Sequence, residues 1–146
     1  LEKKINNKVI IAPHPKTKHK NKPKYFDYRS VSKKKIYELI DNAQLVVTRM
    51  STAISYAIVC KKPILFIYSN ELYLNKNYMS ELSLFVNETG SKVFNINKNF
   101  DKLNLKSLLK MNKKKYSIYK KNYITVLNKS IPNYKIILEI FNRHYK

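Results

Sequence analysis

Asn42-Ala-Gln-Leu-Val-Val-Thr-Arg-Met-Ser-Thr-Ala-Ile-Ser-Tyr-Ala-Ile-Val-Cys-Lys-Lys-Pro-Ile-Leu-Phe-Ile-Tyr-Ser69 decides the fold of this chain. Leu45-Val-Val is a short apolar strand, and a tight polar turn carrying Ser51 and Thr52 follows it. Ala53 to Cys60 is a helix of small and apolar residues, and Ile64-Leu-Phe-Ile-Tyr68 is a second strand, apolar throughout. Strand, crossover helix and strand make a βαβ unit. A run as apolar as Ile64–Tyr68 suits a sheet covered on both faces. The polar residues gather at the helix start, where unpaired N–H groups and a partial positive charge suit a phosphate.

Working outward, the apolar run of Lys8-Val-Ile-Ile-Ala12 ends at Pro13-His14-Pro15, so Lys8 to Ala12 reads as a buried strand stopped by prolines. Lys16 to Lys24 offers nothing apolar to bury and reads as a solvated loop. Ser30 or Ser32 is expected to cap a helix whose Ile36, Leu39, Ile40 and Ala43 fall at helical spacing. Downstream, Lys61-Lys62-Pro63 ends the central helix. Met79, Leu82, Phe85 and Val86 mark one side of a helix over Tyr78 to Glu88. Gly90, the single glycine, stands where a left-handed cap belongs. Val93 to Ile96 is a further short strand.

Past Asn97 the pattern is helical only. It runs through Leu105, Leu108 and Leu109, then Tyr116, Tyr119, Tyr123, Val126 and Leu127. A last helix follows Pro132, with Tyr134, Ile137, Leu138, Phe141 and Tyr145 as its stripe. Strands alternating with helices give the α/β class. The expectation is a Rossmann-like parallel sheet of about four strands with flanking helices and a helical C-terminal tail. Residues 1–96 are the α/β body, and residues 97–146 are the tail packed on the same domain.

The 146 residues carry 30 Lys+Arg against 9 Asp+Glu, a net charge of +21. Residues 1–40 hold 12 basic and 3 acidic side chains, residues 41–100 hold 6 and 4, and residues 101–146 hold 12 and 2. Such a charge suits nucleic acid, an anionic membrane surface or a phosphorylated substrate. The basic residues are nearly all Lys, in a chain rich in Asn, Ile and Tyr, which an A/T-rich genome also produces. Nothing has the length of a membrane span or the shape of a signal peptide. One cysteine, Cys60, suits a reducing compartment, so a cytoplasmic location is the default expectation, and the charge adds peripheral contact with an anionic inner membrane as a further one. A start at Leu1 without Met reads as a fragment or a processed chain.

Ligands of open parallel sheets bind outside the carboxyl ends of the strands. Three polar clusters fall there: Pro13-His14-Pro15, Thr48-Arg49-Met50-Ser51-Thr52 and Ser69-Asn70-Glu71. His14, held between prolines, is the candidate catalytic residue, able to hydrogen-bond a phosphate or move a proton near neutral pH. Thr48, Arg49, Ser51 and Thr52 are candidates for phosphate binding through hydroxyls, amides and a forked guanidinium. Ser51 serves equally as a plain helix cap. Glu71 is placed to accept hydrogen bonds from ribose hydroxyls. A single glycine rules out the familiar Gly-rich phosphate loops, and no acidic pair or paired cysteines mark a metal site.

Val9-Ile-Ile-Ala-Pro-His-Pro15, Tyr25-Phe-Asp-Tyr-Arg29, Glu38-Leu-Ile40, Leu45-Val-Val-Thr48, Ser51-Thr-Ala-Ile-Ser-Tyr-Ala57 and Lys62-Pro-Ile-Leu-Phe-Ile67 together resemble bacterial surface-carbohydrate and capsular-polysaccharide biosynthesis proteins. The likeness is to the C-terminal, donor-binding half of glycosyltransferases of the GT-B architecture, and it covers about Lys8 to Tyr73. It implies a two-domain enzyme using a nucleotide-sugar donor and a saccharide or lipid-linked acceptor, with no metal and no cofactor. It also implies that His14 contacts the donor phosphate or sugar, Ser51 and Thr52 hold the phosphates, and Glu71 touches ribose. Arg49 departs from the pattern, which has a smaller residue or His there. The N-terminal acceptor-binding domain is absent, so this chain alone is an incomplete active site. Two other readings stand beside it. One is a basic nucleic-acid-binding module, disfavoured by the lack of any recognised motif. The other is a related sugar-modifying enzyme of the same architecture, such as an epimerase or pyruvyl transferase.

Overall fold

The computed structural model describes residues 2–14 and 24–124, with positions 135 and 142 besides. Pro15, the lysine-rich loop through position 23, Val126, Leu127 and the stripe residues Tyr134, Ile137, Leu138, Phe141 and Tyr145 lie outside the described residues. In chain order the elements are α1 (Glu2–Ile5), β1 (Ile10–Ile11), a 3₁₀ turn (Lys24–Phe26), β2 (Ser30–Val31), α2 (Ile36–Asp41), β3 (Val46–Thr48) and α3 (Ala53–Val59). They continue with β4 (Ile64–Tyr68), α4 (Asn70–Tyr73), α5 (Lys76–Thr89), β5 (Lys92–Asn95), a second 3₁₀ turn (Phe100–Lys102), α6 (Leu105–Leu108), α7 (Lys113–Tyr119) and one π-helical turn (Lys120–Ile124).

Every strand pairing is parallel, so the α/β class expected from the alternating pattern holds, and the arrangement is compatible with a Rossmann-like one. The strands form two sheets rather than one. β4 lies between β3 and β5, with Thr48 opposite Phe66 and Ile67 opposite Phe94. β1 pairs separately with β2, Ile10 opposite Ser30. β2 has two residues, one of them polar, and so leaves no periodic mark in the sequence.

β4 is the centre of the core because its side chains alternate between two apolar layers. Ile64, Phe66 and Tyr68 meet Ile40 of α2, Ile54, Ala57 and Ile58 of α3, Leu82 of α5 and Tyr116 and Tyr119 of α7. Leu65 and Ile67 face the other way, into Leu45, Phe94, Phe100, Leu103, Leu105 and Leu108. Phe66 and Leu65 are both 0% exposed. Each such burial contributes about 1.5–3 kcal/mol. The helical segments after Asn97 thus pack on both faces of the same sheet, and Tyr116 and Tyr119 are core residues.

The expected buried strand over Lys8 to Ala12 is corrected. Only Ile10 and Ile11 pair, and Ile10 is 57% exposed. A strand with one two-residue neighbour and a cleft at its other edge has nothing to be buried against. The serine cap of α2 is also corrected. Ser30 sits in β2, Ser32 Oγ accepts from the Lys34 N–H at 3.0 Å, and the N-cap of α2 is Lys35, with no side-chain cap bond. Asparagines do the capping elsewhere: the Oδ1 atoms of Asn75, Asn99, Asn104 and Asn112 accept from the amides of Tyr78, Asp101, Ser107 and Lys115.

Three α-helices run into left-handed residues, the first being α1, followed by Asn6 at φ 52°. Gly90 closes α5 at φ 64°, as the sequence anticipates, with its N–H on the Val86 carbonyl. After α3, Lys61 adopts φ 52°. Its N–H meets the Ile58 carbonyl and the Lys62 N–H the Ala57 carbonyl, the pairing of a Schellman cap.

The short helix α1 ties the two sheets together. The Glu2 carboxylate accepts from the Val9 N–H at 2.7 Å and from the Tyr28 hydroxyl at 2.6 Å, and pairs with Arg29 at 3.0 Å. Lys4 Nζ donates to the carbonyls of Phe100 and Asp101, beyond β5. Among the described residues, no helix is long and apolar enough to cross a membrane.

Candidate functional site

An open cleft of about 1560 Å³ separates the two sheets, walled by β1 on one side and by β3 with the start of α3 on the other. The carboxyl ends of β1 and β3 both open into it. His14 follows β1, while Thr48, Ser51 and Thr52 follow β3; all four line this one space.

Arg49 and Glu71 do not line the cleft. Arg49 is exposed one residue beyond β3. Glu71 is exposed in α4, after β4, where a hydrogen bond from the Ser69 side chain holds its carboxyl below the ordinary value of 4.5. That corner is fixed by three asparagines. Asn95 Nδ2 donates to Asn70 Oδ1 at 2.8 Å, the Asn70 N–H to Asn97 Oδ1 at 2.8 Å, and the Asn97 N–H to Asn95 Oδ1 at 2.9 Å.

The start of α3 differs from a bare helix N-terminus. The Ala53 N–H meets Ser51 Oγ at 3.2 Å, the Ile54 N–H the Ser51 carbonyl at 3.1 Å, and the Ser55 N–H the Thr52 carbonyl at 3.2 Å. Ser51 Oγ thus turns back on the first helical amide while Thr52 holds the N-cap position, and the first amides are engaged within the turn. What the turn still offers a ligand is hydroxyl chemistry. Ser51 accepts through its oxygen and keeps its proton to donate, and Thr52 makes no side-chain capping bond. Thr48 Oγ1 spends its proton on the Arg49 carbonyl at 2.8 Å, so toward the cleft it is an acceptor.

Lys33, Lys34 and Lys35, between β2 and α2, also line the cleft. The sequence shows them as a charge run, which ordinarily marks a solvated face. Only the placement of β2 against β1 turns that run into part of a wall. Four lysines (Lys8, Lys33, Lys34 and Lys35) against two carboxylates (Glu2 and Glu38) give the lining a positive excess that suits an anion. Cys60 packs against the core, and burial pushes its thiol up, away from the thiolate that nucleophilic chemistry requires. Among the described residues no group of three His, Cys, Asp or Glu side chains is placed to hold a metal ion.

No family model, curated protein or solved structure matches the chain.

Proposed function

We propose that the cleft holds the phosphate-bearing donor of a glycosyltransferase of bacterial surface-polysaccharide synthesis, and that this chain is the donor-binding part of that enzyme. The observation that carries the reading is the meeting of His14, Thr48, Ser51 and Thr52 with Lys33, Lys34 and Lys35 around one cleft at the carboxyl ends of parallel strands. The sequence resemblance supplies the substrate class, a nucleotide sugar.

In sugar transfer the acceptor hydroxyl forms a bond to the anomeric carbon as that carbon's bond to the donor phosphate oxygen breaks. Negative charge develops on the departing phosphate. Ser51 and Thr52 donate to it, the lysine ammoniums offset it, and His14 donates a hydrogen bond from the facing wall. Arg49 and Glu71, outside the cleft lining, have no part in this step. The base that takes the acceptor proton comes from the acceptor-binding half, outside this chain.

Isothermal titration with CDP, UDP, GDP and CMP tests the reading. At least one nucleotide binds, and Thr52→Val weakens it by about tenfold or more, the cost of one hydrogen bond to a charged group. Failure of every nucleotide, or equal binding to the His14→Ala/Ser51→Ala/Thr52→Val variant, overturns it.

A further inference from the structure

We propose that the outward face of α7 is a docking surface for an anionic lipid membrane. Residues 102–124 contain eight lysines and no acidic residue. α7 divides this segment cleanly. Tyr116 and Tyr119 point inward, 5% and 7% exposed, and Lys115 on the inner side donates its ammonium to the Asn87 carbonyl of α5. Lys113, Lys114, Ser117, Ile118 and Lys121 recur at helical spacing on the opposite side and are all exposed. The acidic side chain felt from α5, Glu88, acts on Tyr119, beneath the helix.

The apolar member identifies the partner. Ile118 is 44% exposed in the middle of three lysines. An exposed isoleucine with Lys114 four residues before it and Lys121 three after fits the headgroup boundary, where the side chain enters the apolar zone and the lysine stems reach anionic lipid. A nucleic-acid backbone gives the isoleucine nothing, and the segment contains no arginine for forked phosphate or base contacts. No α7 residue lines the cleft, so docking leaves it open. The inference stands whether or not the cleft binds a nucleotide.

Flotation of the full chain with vesicles of equal parts phosphatidylglycerol and phosphatidylcholine tests it. Binding to these vesicles exceeds binding to pure phosphatidylcholine and falls with salt. Each lysine near an anionic surface contributes about fivefold, so Lys113→Gln/Lys114→Gln/Lys121→Gln weakens partitioning by roughly 100-fold. Lys76→Gln/Lys92→Gln/Lys98→Gln, the same charge removed from other exposed positions, leaves it nearly unchanged. The chain has no tryptophan, so Ile118→Trp is a unique reporter whose emission shifts blue on the anionic vesicles alone. Circular dichroism confirms that each variant folds. Equal loss for both triple variants, an unshifted Ile118→Trp spectrum, or displacement of the vesicles by an RNA oligonucleotide acting on the same three lysines overturns the proposal.

Discussion

Gly90→Ala is expected to destabilise the protein by about 2–3 kcal/mol, from two separable causes. Gly90 sits at φ 64°, where an L side chain brings its Cβ against the following carbonyl, a penalty of about 1 kcal/mol or somewhat more. The added methyl also has no room. It would stand 2.9 Å from Lys115 Cδ, 3.0 Å from Asn112 Cβ and 3.1 Å from Asn112 Nδ2. The Lys115 chain can swing aside, but that strains its bond to the Asn87 carbonyl. Asn112 is the N-cap of α7 and cannot move without loosening the helix start. Overpacking of this kind costs about 1–3 kcal/mol. Urea unfolding followed by circular dichroism reads the sum as a midpoint lowered by about 1–2 M with an unchanged slope. Gly90→Asn separates the causes. Asparagine tolerates the left-handed region, so it relieves most of the backbone penalty and keeps the clash. A Gly90→Ala midpoint matching the wild type would refute both the cap geometry and the packing of α7 against the end of α5.

Lys61, a left-handed cap that is not glycine, predicts the opposite sign. It is exposed at φ 52°, so Lys61→Gly relieves strain and gains about 0.5–1 kcal/mol after the entropy of the unfolded chain is counted, visible as a higher urea midpoint. Acid acts on α1. The Tyr28 hydroxyl first, then the Val9 N–H and Arg29, hold the Glu2 carboxyl below its ordinary 4.5. A depressed carboxyl contributes stability above 4.5 that is lost as pH falls through the lower folded value. The Val9 amide resonance therefore shifts only below pH 4.5, and Glu2→Gln flattens that titration; a midpoint above 4.5 contradicts the bonding described for Glu2.

The βαβ unit at the centre was legible because β4 is apolar on both faces and α3 is bounded by a polar turn and a proline. Gly90 was legible because a lone glycine after an amphipathic run has one economical meaning. The first strand was overread: four apolar residues in a row look buried, but burial depends on neighbours, and β1 has only Ser30–Val31 beside it. The lysines of the cleft wall were hidden for the same reason. Their sequence is that of any solvated run, and the placement of β2 gives it a site. Of the residues at strand ends, His14, Thr48, Ser51 and Thr52 fall on the cleft lining, whereas Arg49 and Glu71 fall outside it. The asparagines, attributable to genome bias as composition, act individually as caps at four helix or 3₁₀ starts.

The two walls of the cleft are unequally anchored. The wall of β3 and α3 rests on Ile54, Leu65 and Phe66, at most 1% exposed, while among residues 2–14, 24 and 26–32 none is buried. A ligand bridging both walls binds only the fraction of molecules whose weaker wall is in place, and its apparent affinity falls by that fraction. Lys4 then acquires a thermodynamic role at a distance. It does not line the cleft, yet its ammonium on the Phe100 and Asp101 carbonyls holds α1, and through Glu2 the weaker wall, in register with the stronger one. For the proposed ligand, affinity would then depend partly on preorganisation by Lys4, a residue outside the cleft lining.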